Sequence, residues 1–82
     1  MRNKLSMVFY EFTYACLRKL EKKEEFGWTG WDFSHNQEVF ESEIRNRIKK
    51  ELTQKNLVNI ANYCMFLWNL KTEAKNESKI VN

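Results

Sequence analysis

The residues best suited to binding a ligand lie in one short segment, Gly27-Trp28-Thr29-Gly30-Trp31-Asp32, which contains both glycines of the chain. Its indole rings, Trp28 and Trp31, can stack on a nucleic-acid base, and the glycines could act as hinges of a lid. The same rings can instead fold onto neighbouring helices and anchor a connection, because Trp side chains bury large apolar areas. The sequence leaves both interpretations open.

Motifs that would support catalysis are absent from the sequence. His35 is the single histidine, so neither a histidine metal site nor a Ser/His/Asp set with a spare base can be assembled. Cys16 and Cys64 fall on apolar stripes, where thiols behave as small buried hydrophobes. Gly27 and Gly30 lack the downstream residues of a phosphate loop or a dinucleotide fingerprint. We therefore expect no catalytic residue, no metal ligand and no cofactor.

Basic residues gather in two parts of the sequence. They are Arg18, Lys19, Lys22 and Lys23 near the end of the first predicted helix, and Arg45, Arg47, Lys49 and Lys50 in the second half of the next. Cations near helix C-termini are favoured by the helix dipole, so a solvated face accounts for many of them. They can also gather phosphate, although a net charge of +3 over 82 residues is small for a nucleic-acid-binding protein.

The composition indicates one small globular domain. An apolar fraction of 43% and an aromatic fraction of 15% are too high for a disordered chain. No apolar run approaches the roughly 20 residues of a membrane span, and no signal-peptide cleavage site follows the start, so we expect a cytoplasmic protein without a membrane partner. The aromatic load exceeds what one small chain can enclose, so we also expect a homo-oligomer.

The spacing of apolar residues predicts long helices, since the chain has no proline and only two glycines. A first amphipathic helix is predicted at about 6–25 from the stripe Leu5, Phe9, Phe12, Cys16 and Leu20. A second is predicted to open near Ser34, whose hydroxyl and Gln37 have capping-box spacing, and to carry the stripe Phe40, Ile44, Ile48 and Leu52.

A third helix is predicted at about 56–72, after a short break at 53–55. It is apolar on most sides, which is typical of a central helix, and its polar exceptions share one side: Asn56, Asn59, Asn62 and Asn69. The fold expected is all-α, with a long helix, a Gly/Trp loop and a helical hairpin forming one domain at 3–74, followed by a flexible tail at 75–82.

Three separated stretches, 8–22, 26–32 and 56–68, carry a resemblance to a known family. The third reads Asn-Leu-Val-Asn-Ile-Ala-Asn-Tyr-Cys-Met-Phe-Leu-Trp. In order, the stretches resemble the first helix, the K-G-G-W type loop and the E-x-x-D-V-A-N-F-A-M helix of small MazG-like proteins, phage and bacterial members of the all-α NTP pyrophosphohydrolase superfamily. The resemblance implies a helical oligomer that embraces a nucleoside phosphate and holds Mg²⁺ with acidic E-x-x-E and E-x-x-D motifs.

The chain departs from that pattern at the metal ligands. Asn56 and Asn59 align with the acids of E-x-x-D, and Arg47 and Lys50 fall near E-x-x-E. Cations and amides attract phosphate directly but hold no metal to activate water. The hypothesis is a non-catalytic protein that binds a nucleotide or a nucleotide-like phosphate ligand, as a phage-type sequestering or anti-defence protein would. Trp28 or Trp31 would stack on its base, and Asn62 would also reach it.

Two other functions stay open. The first is a protein-interaction inhibitor or adaptor that docks an aromatic surface on a host protein. The second, and the least favoured, is a metal-dependent NTP diphosphohydrolase that uses Glu38, Glu41 and Glu43. The third predicted helix would offer such an enzyme no carboxylate before Glu73.

Overall fold

The computed structural model describes the backbone of residues 3–81 and the side chains of residues 3–74. Within these residues the chain has no strand. Helix α1 spans Asn3–Glu25, a 3-10 turn at Ser34–Asn36 leads into α2 at Gln37–Arg47, and α3 spans Gln54–Val81. The predicted all-α class, with a long helix, a Gly/Trp loop and a helical hairpin, is confirmed.

Helix α1 ends in a Schellman motif, in which Gly27 occupies the left-handed position with φ +80°. The Trp28 N–H donates to the Lys23 carbonyl at 3.0 Å, and the Gly27 N–H donates to the Glu24 carbonyl at 2.9 Å. These two bonds satisfy carbonyls that the end of the helix would otherwise leave unpaired. The motif therefore fixes the direction in which the loop leaves α1.

The start of α2 differs from the predicted capping box. Ser34 opens the 3-10 turn, and the N-cap of α2 is Asn36, which makes no side-chain capping hydrogen bond. The Asn36 amide instead donates to the Gly30 carbonyl at 2.6 Å. This bond ties the loop to the start of α2. The predicted cap by Ser34 is wrong, because the polar side chain at the N-cap position is Asn36, and it bonds to the loop instead.

Helix α2 ends at Arg47, earlier than the predicted apolar stripe suggests. Ile48 and Leu52 are both 55% exposed, so burial against a neighbouring element does not stabilise a longer α2. The Asn56 amide donates to the Arg47 carbonyl at 2.9 Å, and the Thr53 hydroxyl accepts the Asn56 N–H at 3.1 Å. Thr53 therefore caps the start of α3. The break between the helices lies at 48–53, earlier than the predicted 53–55, because Gln54 and Lys55 already belong to α3.

Helix α3 is longer than predicted, because its backbone continues to Val81 instead of ending near Thr72. The division into a domain at 3–74 and a flexible tail at 75–82 stays a prediction. Helix α3 contacts both other helices, as expected for a central helix. Residues later in α1 lie beside residues later in α3: Phe12 lies near Leu57, and Leu20 lies near Phe66. The two helices therefore run in the same general direction.

The core lies inside the α2–α3 hairpin and centres on Phe66. Phe40 of α2 and Phe66 and Leu70 of α3 are the buried apolar residues of the described chain. The partly buried side chains packed against them are Leu20, Trp28, Tyr63 and Leu67. Helix α1 contributes no buried residue, so it is attached along one edge only.

The two cysteines have different environments. Cys16 is half-buried, and burial raises the pKa of its thiol above the ordinary value. Cys64 is exposed, which corrects the expectation that both thiols lie in the core. Trp68, also placed on the apolar stripe of α3, is 68% exposed. The described chain thus leaves part of the central helix uncovered.

Replacing Phe66 by Ala should lower the free energy of unfolding by about 3–5 kcal/mol, because it removes the ring that joins the core to the loop and leaves a cavity. Phe26, which is 90% exposed, provides the matched control. Phe26→Ala should change the unfolding free energy by no more than about 0.5 kcal/mol. Urea denaturation followed by circular dichroism measures both, and equal effects would contradict the packing described.

Candidate functional site

The residues singled out by sequence do not form one pocket. Trp28 and Trp31 lie on the Gly/Trp loop and pack against Phe66. Asn62 lies between α1 and α3. The others lie at or near the α2–α3 turn: Arg47, Lys50, Asn56 and Asn59.

The Gly/Trp loop is anchored to the core. The ring centroid of Trp28 lies 5.3 Å from that of Phe66, and the centroid of Trp31 lies 5.6 Å from it. Trp28 is half-buried and Trp31 keeps 36% of its surface exposed. Of the two interpretations of the loop, the structure shows the anchored connection. The part of Trp28 that Phe66 does not cover remains available to neighbours.

Asn56 holds the α2–α3 turn together. Its side chain is buried, and its amide nitrogen donates to the Arg47 carbonyl at 2.9 Å and to the Glu51 carbonyl at 3.1 Å. Both amide hydrogens are therefore used by the fold. This corrects the prediction that Asn56 offers its amide to a ligand.

Asn62 joins two helices. It is buried, and its amide nitrogen donates to the Cys16 carbonyl on α1 at 3.2 Å. Because α1 has no buried residue of its own, this polar contact and the packing of Leu20 fix where α1 sits on α3. Asn62 thus has a structural role, and its assignment as a base contact stays a prediction.

The guanidinium of Arg47 lies beside Tyr63. Its Nε donates to Glu43 Oε2 at 3.0 Å, and its Cζ lies 5.2 Å from the ring centroid of Tyr63. The main-chain carbonyl of Arg47, and not the guanidinium, accepts the hydrogen bond from the Asn56 amide. Glu43 and Arg47 thus form an i,i+4 ion pair on α2, which engages the guanidinium that was predicted to face a ligand together with the amides.

A cluster missed by the sequence analysis centres on Tyr63. Lys23 Nζ lies 4.7 Å from the Trp28 ring centroid and 5.2 Å from that of Tyr63, so two cations stand over neighbouring aromatic rings. A recess of about 330 Å³, here the Tyr63 cleft, is bounded by Trp28, Gly30, Asn36, Phe40, Glu43 and Tyr63. Lys23 and Arg47 are not among the residues that line it, but both lie over rings that do.

The lining of the Tyr63 cleft contains Trp28 from the predicted site and leaves out the rest. The predicted residues outside that lining are Trp31, Arg47, Lys50, Asn56, Asn59 and Asn62. One signal could have pointed to Tyr63. It lies seven residues after Asn56, two turns along the same face of α3.

Residues 3–74 contain no group of three or more His, Cys, Asp and Glu side chains placed to hold a metal ion. Glu43 bonds to Arg47, and Glu41 lies 3.5 Å from Lys71 Nζ. His35 stacks beside Phe33, with ring centroids 5.6 Å apart. Over the same part of the chain, no helix combines the length and hydropathy that crossing a membrane requires.

No family model, curated protein or solved structure matches the chain.

Replacing Asn56 by Ala should lower the free energy of unfolding by about 1–3 kcal/mol, since it leaves carbonyls at the α2–α3 turn without their donor. Asn69 is the matched control, because its amide reaches only Glu73, at 3.4 Å on the exposed surface of α3. Asn69→Ala should cost at most about 0.5 kcal/mol. Thermal and chemical denaturation measure the difference; a neutral Asn56→Ala would return Asn56 to the list of ligand contacts.

Proposed function

We propose that this chain is a non-catalytic protein that binds a nucleotide or a nucleotide-like phosphate ligand in the Tyr63 cleft. The observation that carries the proposal is the pairing of two cations, Lys23 and Arg47, with the rings of Trp28 and Tyr63 at one recess. Aromatic walls accept a planar base, and cations accept phosphate oxygens.

Arg47 is the main phosphate contact in this proposal. Glu43 accepts a hydrogen bond from its Nε, which holds the guanidinium beside Tyr63. Arg can bond two phosphate oxygens at once, which Lys cannot do with the same geometry. Lys23 adds a second positive charge near the rings of Trp28 and Tyr63.

The non-catalytic part of the proposal rests on what the acidic residues do. A pyrophosphohydrolase of the family that the chain resembles needs carboxylates that converge on Mg²⁺. Here Glu43 and Glu41 face cations, and Asn56 serves the α2–α3 turn. Sequestration of a nucleotide signal, as in a phage-type anti-defence protein of the cytoplasm, is the function that such a binder would perform.

Arg47→Gln should weaken nucleotide binding roughly tenfold or more, because a charge-assisted hydrogen bond contributes about 1.5–3 kcal/mol. Arg45→Gln is the matched control, since Arg45 lies on the same helix with its side chain 73% exposed. Isothermal titration calorimetry with nucleoside mono-, di- and triphosphates, with and without EDTA, measures both variants. Binding that requires Mg²⁺, or release of pyrophosphate, would contradict the proposal and favour the enzyme.

A second candidate function, protein association, is favoured by the apolar surface of the N-terminal two thirds of α1, which extends over several sides of the helix. Its exposed apolar side chains are between 42% and 68% exposed: Leu5, Met7, Val8, Phe9, Tyr10, Phe12, Tyr14 and Leu17. Exposed apolar surface of this extent marks interaction sites in most proteins. We propose that a second copy of this chain covers it, which would make the protein a homo-oligomer.

The area supports a second copy as the occupant. The chain exposes 6905 Å² at 10.0 kDa, whereas a folded monomer of that mass exposes about 5,200 Å². The excess of about 1,700 Å² is in the range of about 1,000–2,500 Å² that each protomer of an obligate dimer loses. Self-association would therefore restore the surface area that is normal for a chain of this size.

Val8→Glu should convert the oligomer to monomer, because it buries a charge in the proposed interface, and Glu has a better helix propensity than Val, so α1 itself should persist. Phe26→Glu, on the exposed loop, should leave the assembly unchanged. Light scattering after size-exclusion chromatography measures the mass. A monomeric wild-type protein would refute self-association and leave the aromatic face to a different protein, the adaptor alternative.

A further inference from the structure

A second recess, distinct from the Tyr63 cleft, lies between α1 and the start of α3. Four cations line it: Arg18, Lys19 and Lys22 from α1, and Lys55 from α3. Its volume is about 400 Å³, and the rest of its lining is Ala15, Gln54 and Val58. The lining contains no carboxylate. We call this recess the cationic cleft.

Local sequence and one tertiary contact build this recess. Arg18, Lys19 and Lys22 fall within four positions of α1, so they project from neighbouring faces of one turn. The hydrogen bond from Asn62 to the Cys16 carbonyl holds α1 against α3, which brings Lys55 to the same place. Lys55 is in the first turn of α3, where the helix dipole adds further positive potential.

The charges in this region repel one another. The pKa of Lys19 is lowered below its ordinary value by burial and then by Lys55, Lys23, Lys22 and Arg47, in that order. Lys19 is thus surrounded by cations from all three helices. On a helix face that only contacts water, we expect such cations to be spaced apart, because like charges close together destabilise a fold. A bound polyanion would remove the repulsion.

We propose that the cationic cleft binds a condensed phosphate, meaning two or more phosphate groups joined in a chain, either free or as the tail of a nucleotide. Four cations line one opening, and a single phosphate group, with a charge of about −1.5 to −2, would balance only about half of that positive charge. Arg18 can bond two oxygens in a fork, and the three lysines act as point charges along the chain. This proposal uses none of the residues that line the Tyr63 cleft, although Lys23 and Arg47 lie near enough to Lys19 to add to the positive potential of both sites.

The probes are orthophosphate, pyrophosphate and tripolyphosphate, titrated into the full chain by calorimetry at constant ionic strength and without metal. We expect affinity to rise at least tenfold from orthophosphate to tripolyphosphate, and tripolyphosphate to raise the melting temperature. Equal binding of orthophosphate, sulfate and tripolyphosphate, or no binding of tripolyphosphate, would overturn the proposal.

Lys19→Met removes the central charge and keeps the length of the side chain. We expect it to weaken tripolyphosphate binding at least tenfold and to raise the melting temperature of the free protein, because repulsion among the remaining cations falls. A variant that merely damaged the fold would lower that temperature instead. Lys4→Met, at the other end of α1, is the matched control and should change neither quantity. Unchanged binding by Lys19→Met would overturn the proposal.

A parallel titration with nucleoside triphosphates tests whether the ligand of the cationic cleft is a free condensed phosphate or the tail of a nucleotide. It also distinguishes this proposal from nucleotide binding in the Tyr63 cleft. If the cleft binds a nucleotide tail, Lys19→Met weakens the nucleotide as well as tripolyphosphate. Arg47→Gln should weaken nucleotide binding, but it should weaken tripolyphosphate binding far less than Lys19→Met does, because Arg47 adds to the potential at Lys19 without lining the cationic cleft. Loss of tripolyphosphate binding in Arg47→Gln but not in Lys19→Met would place the anion in the Tyr63 cleft and overturn this proposal while sparing the first.

Discussion

The stacking of the Gly/Trp loop on Phe66 is the contact on which the rest of the structure depends. Phe66 is 2% exposed and meets Phe40 of α2 and both indoles of the loop. Aromatic pairs of this kind contribute about 0.5–1.5 kcal/mol each beyond their buried area. Because the loop leaves α1 through the Gly27 motif, docking Trp28 on Phe66 also places Lys23 above the Trp28 ring.

Periodicity predicted where the helices lie, but it did not predict where α2 ends or which apolar faces are covered. The stripes of α1 and α3 located both helices, although α1 has no buried residue. The stripe of α2 continued through Ile48 and Leu52 in the sequence, but both are 55% exposed and the helix stops at Arg47. There the Asn56 amide donates to the Arg47 carbonyl, a tertiary contact that apolar spacing does not report.

The amides of α3 show why the candidate site was only partly predictable. Their spacing placed them on one side of the helix, but Asn56 and Asn62 donate to main-chain carbonyls of Arg47, Glu51 and Cys16. Every residue has a main-chain carbonyl, so the sequence does not indicate which carbonyl an amide will meet. No spacing rule can therefore distinguish a structural amide from one that binds a ligand. The cluster at Tyr63 was missed for a related reason, since its members come from α1, α2, the loop and α3.

The two halves of α1 have opposite characters and are physically coupled. Its N-terminal half forms an apolar groove with Leu57, and that groove shares Ala15, Gln54 and Val58 with the cationic cleft. A second copy seated on the apolar groove would therefore lie at the edge of the cations. Water excluded there strengthens every charge interaction nearby, the repulsion among the cations included. An anion that neutralises the cationic cleft would then favour association of the two copies. By thermodynamic linkage, association would raise the affinity for the anion by the same factor.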